Sequence, residues 1–389
     1  MTPAVSARLA SALLAGPRSV GRRLVARTER RVNAVHRPGP YTASARAMEL
    51  HRTLLVADLH ADSLLWGRDL LVRGDRGHVD VPRLIEGGVA LQAMAASTKV
   101  PRKLNLDRND GHSDDVLLVA IALGWPLATL RSLLARALFL AREADRLAAE
   151  SGGRFTVIRT AVELAAHLEL RRSGAVVTGG LLTIEGAQAL DGDPANVDRL
   201  VDAGSRMMSP AHFFDTRFGG SAHGVAKGGL TAAGREMVLR MEARSMLVDV
   251  SHASVATIDD VLSIATRPVV ASHGGVVGSC PGLRNLSDDH LRALAATGGL
   301  VGIGFWPTAI CGDDAAAIAR AIGHAARVVG IEHVALGSDF DGAVPTPFDA
   351  TGMVLITEAL LADGFADADI AAVMGGNVFR LLAETLPAV

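Results

Sequence analysis

The sequence predicts a (β/α)8 TIM-like barrel with a long helical insertion between its second and third strands. Eight short apolar segments recur along the chain, and helical patterns separate them. Nearly all eight are continuously apolar, which is typical of strands covered on both faces. The length of 389 residues, with 49% hydrophobic residues, suits two average domains or one large barrel with additions.

The eight predicted strands follow one another with helices between them. They are Leu54–Leu59, Val89–Ala95, Leu181–Ile184, Arg206–Ser209, Met246–Val250, Pro268–Ser272, Leu300–Phe305 and Val334–Gly337. A doubly wound sheet is the alternative architecture. It would normally place a glycine-rich phosphate turn after the first strand, whereas here the first strand leads into "DLHADS".

Three helices are predicted between the later strands. Ser254–Ile264 carries paired acids, Asp259 and Asp260, in its middle, Ser287–Ala295 starts with "SDD", and Thr231–Ala243 opens with a Thr cap. Such side chains accept hydrogen bonds from the first free N–H groups of a helix. Two Asp residues follow Ser287, where the helix dipole favours negative charge.

The insertion spans residues 97–180 and reads mainly as helix, with Pro126 expected to break its first part. Its apolar stripe must be buried against the barrel or another subunit. The insertion could therefore form a wall of the active site or a dimer interface, and the sequence does not decide between the two. We expect a homodimer.

Residues 1–45 form an Arg-rich, amphipathic N-terminal extension before a hydrolase barrel over 46–389. It suits a docking helix, a surface-associating segment or a frayed end. Its positive charge falls mostly after its short apolar patch, the wrong order for a secretory signal. No segment reaches the roughly 20 apolar residues of a spanning helix. We predict a cytoplasmic protein, with an exported or membrane-associated form left open.

Charge and cysteine content exclude some classes of function. The net charge is −2, so nothing indicates a nucleic-acid partner. The two cysteines, Cys280 and Cys311, form no C-x-x-C pair. We expect two free, packed thiols, which fits a reducing compartment.

Polar residues that bind metals or move protons follow most of the predicted strands. They are His60 and Asp62 after the first, Glu185 after the third, His212 after the fourth, His252 after the fifth, His273 after the sixth, and Asp339 and Asp341 after the eighth. Each alone is usually structural, but the carboxyl ends of barrel strands converge on one mouth. Buried carboxylates and imidazoles gathered there indicate a cation.

The donor types indicate the metal. Three His, one Asp and one Glu without thiolate suit Zn²⁺, with Mn²⁺, Fe²⁺ or Co²⁺ possible. Five donors are too many for one open zinc and fit two ions that share a bridge. None of the three lysines, Lys99, Lys103 and Lys227, follows a strand at the mouth, so a carbamylated lysine is not available. Glu185 is therefore the predicted bridge.

The chain resembles the membrane dipeptidase (renal dipeptidase) family of zinc peptidases, among the amidohydrolase-like barrels. The matching stretches run in the family's order from about residue 54 to residue 380: "DLHADSL", "TIEGAQAL", "GLTAAGREMVLRME", "MLVDVSHAS", "PVVASH", "RNLSDDHLRALAATGG", "ALGSDFDG" and "GGNVFRLL". The resemblance implies that His60 and Asp62 bind one zinc, His252 and His273 the other, and Glu185 both.

The resemblance also assigns the substrate contacts. His212 would polarise the scissile carbonyl, Arg284 would hold the substrate's carboxylate, and Asp339 would move a proton or bind the free amine. Asp341 is expected to act only indirectly. Two departures from the family put specificity in doubt. Gly274 stands where the family often has Ser, and an acid, Asp215, stands where it usually has Asn.

These assignments predict a binuclear zinc dipeptidase in which a hydroxide bridging two ions attacks the peptide bond, with Glu185, His212 and Asp339 as catalytic residues. The resemblance implies tolerance of a D-residue at the C-terminal position. Two alternatives remain. One is another binuclear hydrolase, acting on a lactone, cyclic amide or phosphoester, which would not need Arg284. The other is a non-catalytic barrel used as a binding module.

Overall fold

A computed structural model describes residues 19–389, and its strands form one parallel sheet of nine. They are β1 (Val56–Ala61), β2 (Val89–Ser97), β3 (Phe155–Val157), β4 (Thr178–Glu185), β5 (Ser205–Met208), β6 (Leu247–Asp249), β7 (Val269–Gly274), β8 (Leu300–Ile303) and β9 (Val334–Leu336). The order β2-β1-β9-β8-β7-β6-β5-β4 closes because β2 also pairs with β4. This closure confirms the predicted barrel and excludes the doubly wound sheet.

All eight predicted strands are present, and the ninth, β3, was not predicted. It lies inside the insertion and pairs with the first part of β4, from Phe155↔Thr178 to Val157↔Gly180. Three residues are too few to show a period in the sequence. The glycines of β4 make this pairing possible, because a Cβ at Gly180 would lie 2.5 Å from the Phe155 ring. Strand β4 consequently begins three residues before the predicted start.

Helices cover the outside of the barrel. They are α1 (residues 19–32), α2 (Ala45–Thr53), α3 (Val81–Glu86), α4 (Asp115–Leu123), α5 (Leu133–Glu150), α6 (Ala161–Arg172), α7 (Asn196–Asp202), α8 (Ala232–Ala243), α9 (Val255–Ile264), α10 (Asp288–Ala296), α11 (Pro307–Ile310), α12 (Ala315–Val329), α13 (Val354–Ala362), α14 (Asp367–Ala371) and α15 (Asn377–Thr385). Short 3₁₀ turns lie at Ser63–Trp66, Leu127–Leu130, Ala187–Leu190, Ile331–His333 and Ala350–Gly352, and a π turn lies at Ala372–Gly376.

The predicted Thr cap is confirmed, and two further helices begin at a capping Ser. The side chain of Thr231 accepts a hydrogen bond from the N–H of Gly234 at the start of α8. Ser254 caps α9 and Ser287 caps α10 in the same way. None of the helices between residues 19 and 389 is long and apolar enough to cross a membrane.

The insertion is mainly helical and packs partly on the barrel. Helix α4 ends at a left-handed Gly124, and Pro126 precedes a short 3₁₀ turn, so the predicted break is confirmed. Helix α5 buries one apolar face, including Leu134 and Leu140. Helix α4 leaves Leu118 and Ile121 48% and 58% exposed, so its apolar surface is only partly covered.

The described part of the N-terminal extension packs against the barrel through α1. Val25, Glu29 and Asn33 lie four residues apart and are all buried, so they form one inward face. The predicted boundary at residue 45 stays a prediction. The apolar patch expected before Pro17 lies outside the described residues.

The prediction of two free thiols was wrong, because Cys280 and Cys311 form a disulfide. The residues are 31 positions apart in sequence, on the segments that follow β7 and β8. These two strands are neighbours in the barrel, which brings the cysteine Cα atoms within 5.3 Å. Only the strand order reveals this proximity.

Candidate active site

The carboxyl ends of the strands bring the predicted polar residues to one buried centre. They are His60 in β1, Asp62 just after it, Glu185 at the end of β4, His212 after β5, His252 after β6, His273 in β7 and Asp339 after β9. The most exposed of them, Asp339, has only 8% of its surface accessible. Each lies where a short apolar strand ends, so the barrel itself sets their convergence.

Glu185 occupies the middle of this centre and faces four imidazoles. Its Oε1 atom lies 3.2 Å from His252 Nε2, 3.4 Å from His60 Nε2 and 3.6 Å from His273 Nε2. Its Oε2 atom lies 3.3 Å from His212 Nε2. The two oxygens of this carboxylate therefore face different imidazole nitrogens, which is the arrangement that a ligand bridging two ions needs.

Two further carboxylates approach the same centre from the β1 and β9 ends. Asp62 Oδ2 and Asp339 Oδ1 lie 3.5 Å and 3.9 Å from His60 Nε2. Three groups of side chains have donor atoms within 4.8 Å of one another: His60–Glu185–His273, Glu185–His212–His252 and His60–Asp62–Asp339. Glu185 and His60 each belong to two groups. The assignment of ligands to one ion or the other stays a prediction.

Several polar atoms of the centre lack hydrogen-bond partners although they are buried. His60 Nε2 and Asp62 Oδ1 have none, and the Nε2 atoms of His252 and His273 face each other at 3.0 Å. Buried polar groups are normally paired, so such a cluster requires a ligand. Imidazole nitrogens and carboxylate oxygens without thiolate are a donor set that suits zinc.

The pKa shifts show the same need for a cation. Burial raises the pKa of Glu185, and it raises the pKa of Asp339 to about 8. Burial opposes the charged form of His60, but the carboxylates of Glu185, Asp62 and Asp339 outweigh it and raise its pKa to about 10. The bare cluster therefore holds protons that a divalent cation would displace.

A hydrogen-bond chain fixes the orientation of the His273 ring. The hydroxyl of Ser272 donates to Asp249 Oδ2 at 2.6 Å and lies 2.9 Å from His273 Nδ1. The hydroxyl proton is used by Asp249, so Ser272 accepts the Nδ1 proton of His273. The lone pair of Nε2 then points into the centre, as a metal ligand requires.

Arg284 presents a guanidinium without a partner beside this centre. Its Nη2 atom is buried without a hydrogen bond, and its Cζ atom lies 5.9 Å from the centre of the Trp306 ring. Within residues 19–389 no carboxylate lies close enough to form an ion pair with it. The side chain is therefore available for an anion from outside the chain.

The two departures from the family pattern have different consequences. The carboxylate of Asp215 accepts hydrogen bonds from the N–H groups of Ser221 and Ala226, at 2.9 Å and 2.6 Å. It folds its own loop, which explains an acid there without a contact to substrate. A Cβ at Gly274 would lie 3.7 Å from Arg284 Nη1, an ordinary contact, so this position leaves space beside the arginine.

Sequence reasoning missed one buried imidazole at this site, His223. Its Nδ1 atom lies 2.5 Å from the carbonyl oxygen of Leu106, its Nε2 atom has no partner, and its ring centre lies 5.5 Å from that of His252. Burial lowers the pKa of His223 to about 4. It was missed because it lies inside a loop and not at a strand end.

Comparison with known proteins identifies the family of the chain. A model of the membrane dipeptidase family, peptidase family M19, matches residues 44–387. A Klebsiella pneumoniae protein, described as an uncharacterized protein in the pqqA 5' region, is 32% identical over 252 residues, which cover 61% of this chain and 91% of that protein. Dipeptidase verJ of Clonostachys rogersoniana is 30% identical over 312 residues, covering 78% and 75%.

A solved structure has the same fold. It is a metallo peptidase from Rhodobacter sphaeroides liganded with a phosphinate mimic of the dipeptide L-Ala-D-Ala, with 26% identity and a TM-score of 0.68, covering 86% of this chain and 99% of that chain. The family match spans the barrel and every strand end that carries the site. The chain belongs to the membrane dipeptidase family, peptidase family M19, and is a metal-dependent hydrolase of peptide bonds.

Proposed function

We propose that the chain is a binuclear zinc dipeptidase that cleaves dipeptides with a free C-terminal carboxylate. The observation that carries the proposal is a single buried glutamate, Glu185, in contact with four imidazoles, beside an arginine without a partner. The phosphinate dipeptide mimic bound by the Rhodobacter sphaeroides relative supports a dipeptide substrate. It also supports a D-residue at the C-terminal position.

The residues that would hold the two ions are His60, Asp62, Glu185, His252 and His273. The unpaired atoms and raised pKa values described above fit divalent cations at these positions. When bound, such ions supply Lewis acidity and lower the pKa of a coordinated water, so that a hydrolytic nucleophile is present near neutral pH.

The chain's own residues would complete the reaction. Burial lowers the pKa of His212, so this imidazole is neutral and can donate one N–H to the carbonyl oxygen as negative charge develops there. Asp339 would take the proton released by the attacking water and pass it to the leaving amine. One water is thereby added across the peptide bond, with OH on the carbonyl carbon and H on the amine nitrogen.

Arg284 would decide the length of the substrate. A bidentate contact to the terminal carboxylate holds the adjacent peptide bond at the metal centre, so a dipeptide fits and a longer chain does not. A hydrolase of lactones, cyclic amides or phosphoesters would have no use for this contact. We therefore favour the dipeptidase over these alternatives and over a non-catalytic binding role.

Metal analysis followed by a substrate panel tests the proposal. We expect about two zinc ions per chain and hydrolysis of both L-L and L-D dipeptides, with little hydrolysis of the C-terminal amides. A chain that binds no metal, or a metal-loaded chain that cleaves lactones or phosphoesters but no dipeptide, would contradict the proposal.

The oligomeric state and the cellular location also remain proposals. We propose a homodimer because α4 exposes Leu118 and Ile121, and light scattering would measure it. A cytoplasmic location was predicted from the sequence, and the disulfide between Cys280 and Cys311 is the observation against it, since such bonds are typical of oxidising compartments. Cell fractionation decides between the two locations.

A further inference from the structure

The loop that follows β9 has an unusual backbone. Asp339, Asp341 and Ala343 all have positive φ angles, of 60°, 62° and 60°. Residues with a Cβ avoid this left-handed region, and three in one short loop persist only where the surroundings hold them. The loop carries Asp339, so the groups that hold it also set the position of that carboxylate.

Asn33, just after α1, contacts two residues of this loop. Its Nδ2 group donates to the carbonyl oxygen of Asp341 at 3.3 Å, and its Oδ1 atom accepts from the N–H of Ala343 at 2.8 Å. Asn33 is only 3% exposed. The amide thus connects Asp341 and Ala343, the two left-handed residues that follow Asp339. Because Asn33 is buried, water does not compete for either hydrogen bond.

A buried ionic network connects α1 to the same loop. The carboxylate of Asp341 accepts from the hydroxyl of Ser63 at 2.6 Å and pairs with Arg68. The Nε atom of Arg68 pairs with Glu29 of α1 at 2.5 Å, and Arg76 pairs with the other oxygen of Glu29 at 2.5 Å. The network thus contains two carboxylates and two guanidinium groups, and each carboxylate has a guanidinium group beside it.

The chain after α1 adds backbone contacts to the far end of the loop. The N–H of His36 donates to the carbonyl of Thr346 at 2.9 Å, and the N–H of Thr346 donates to the carbonyl of Ala34 at 3.0 Å. Residues 34–37 therefore run beside the loop like a short added strand. The N-terminal segment holds the loop at both of its ends.

We propose that the segment over residues 25–37 is a positioning element of the active site, in which Asn33 and Glu29 hold the loop 339–343 so that Asp339 faces His60. The two side chains lie 3.9 Å apart. This segment lies before the region that matches the family model, residues 44–387. The inference rests on the proposed function, in which Asp339 carries the proton.

The first test compares Asn33→Ala with a control on the same segment. Arg30→Ala breaks only an exposed ion pair with Asp75, so it alters α1 without removing a contact to the loop. We expect Asn33→Ala to lower kcat on dipeptides about 10- to 100-fold, the usual effect of a displaced catalytic group, with KM and zinc content within about twofold of wild type. Arg30→Ala should retain wild-type kcat. Asn33→Asp keeps the acceptor for Ala343 and should recover part of the loss.

The second test does not depend on activity. Hydrogen exchange of the peptide covering 339–346 should rise in Asn33→Ala and stay at the wild-type level in Arg30→Ala, because only the first variant removes the acceptor of the Ala343 N–H. Faster exchange together with lower kcat supports the proposal. Unchanged kcat in a folded, zinc-loaded Asn33→Ala protein overturns it, as does an equal loss of kcat in the Arg30→Ala control.

The two tests separate this inference from the proposed function. If the zinc-loaded wild-type protein cleaves no dipeptide, the proposed function fails, and hydrogen exchange alone then decides whether Asn33 holds the loop. If Asn33→Ala does not fold, the Asn33→Asp variant carries the kcat measurement, because it removes only the donor to the Asp341 carbonyl. Unchanged kcat in a zinc-loaded Asn33→Asp protein then refutes a positioning role for the Asn33 donor.

Discussion

Replacing Arg284 by Ala should remove recognition of the substrate's carboxylate while leaving the metal centre intact. The guanidinium has a buried Nη2 atom without a partner, and its Cζ atom lies over the Trp306 ring, 5.9 Å from the ring centre. Its hydrogen-bonding capacity is therefore unused until a substrate arrives. The expected effect is a higher KM for dipeptides, with a smaller change in kcat and no change in zinc content.

The size of the effect follows from the contact that is lost. A hydrogen bond to a charged group contributes roughly 1.5–3 kcal/mol, and a bidentate arginine–carboxylate pair makes two of them. Arg284 is partly accessible to solvent, so the lower end applies to the pair. A loss of about 3 kcal/mol corresponds to about two orders of magnitude in kcat/KM. Arg284→Lys keeps the charge without the planar fork and should lose about one order of magnitude.

The assay compares a dipeptide with its C-terminal amide for each variant. The amide has no carboxylate, so wild type and Arg284→Ala should cleave it at similarly low rates. Arg292→Ala is the control, because Arg292 makes only an exposed pair with Asp289 on α10. Equal losses of kcat/KM on the acid and on the amide would refute the carboxylate role of Arg284.

Three further predictions concern the metal centre, the disulfide and the N-terminal helix. His252→Ala should lose at least one zinc and nearly all activity, and full zinc occupancy with normal turnover would contradict its role as a ligand. Reducing the Cys280–Cys311 bond, which spans 31 residues, should lower the free energy of unfolding by about 3–4 kcal/mol. It should also raise KM, because the bond connects the segment that carries Arg284 to the segment after β8. An unchanged denaturant midpoint after reduction would argue against the effect on stability. Burial raises the pKa of Glu29 from 4.5 to about 7, so its stabilising effect is complete below about pH 4.5 and is lost as pH rises through about 7. Between pH 5 and pH 8 the free energy of unfolding of wild type, measured in urea, should therefore fall by up to about 3 kcal/mol relative to that of Glu29→Gln. Parallel pH profiles of the two proteins would show that Glu29 does not titrate in this range.

Local patterns were sufficient to predict the eight barrel strands and three helix starts. Apolar runs bounded by polar residues mark strands such as β4 and β9, and Thr231 marks a helix start, because each depends on neighbours within a few positions. The same logic placed the candidate ligands, since a His or Glu directly after an apolar run must lie at a strand end. Their roles as ligands remain predictions, although the structure brings them to one centre.

Contacts between distant residues could not be predicted in this way. The carboxylate of Asp215 serves its own loop, and the His223 imidazole reaches the centre from a loop. Helix α1 contacts the β9 loop through Asn33, which lies 308 residues before Asp341. No local pattern in the sequence encodes these pairings.

The sequence by itself determined the order of the eight barrel strands, the helix cap at Thr231 and the kinds of side chain presented at the strand ends, because these follow from short-range periodicity and chemistry. Only the tertiary structure decided how the barrel closes, which cysteines meet, and which distant residues support the centre. Those outcomes depend on the pairing of strands far apart in the chain, and their geometry is set by closure of the whole sheet.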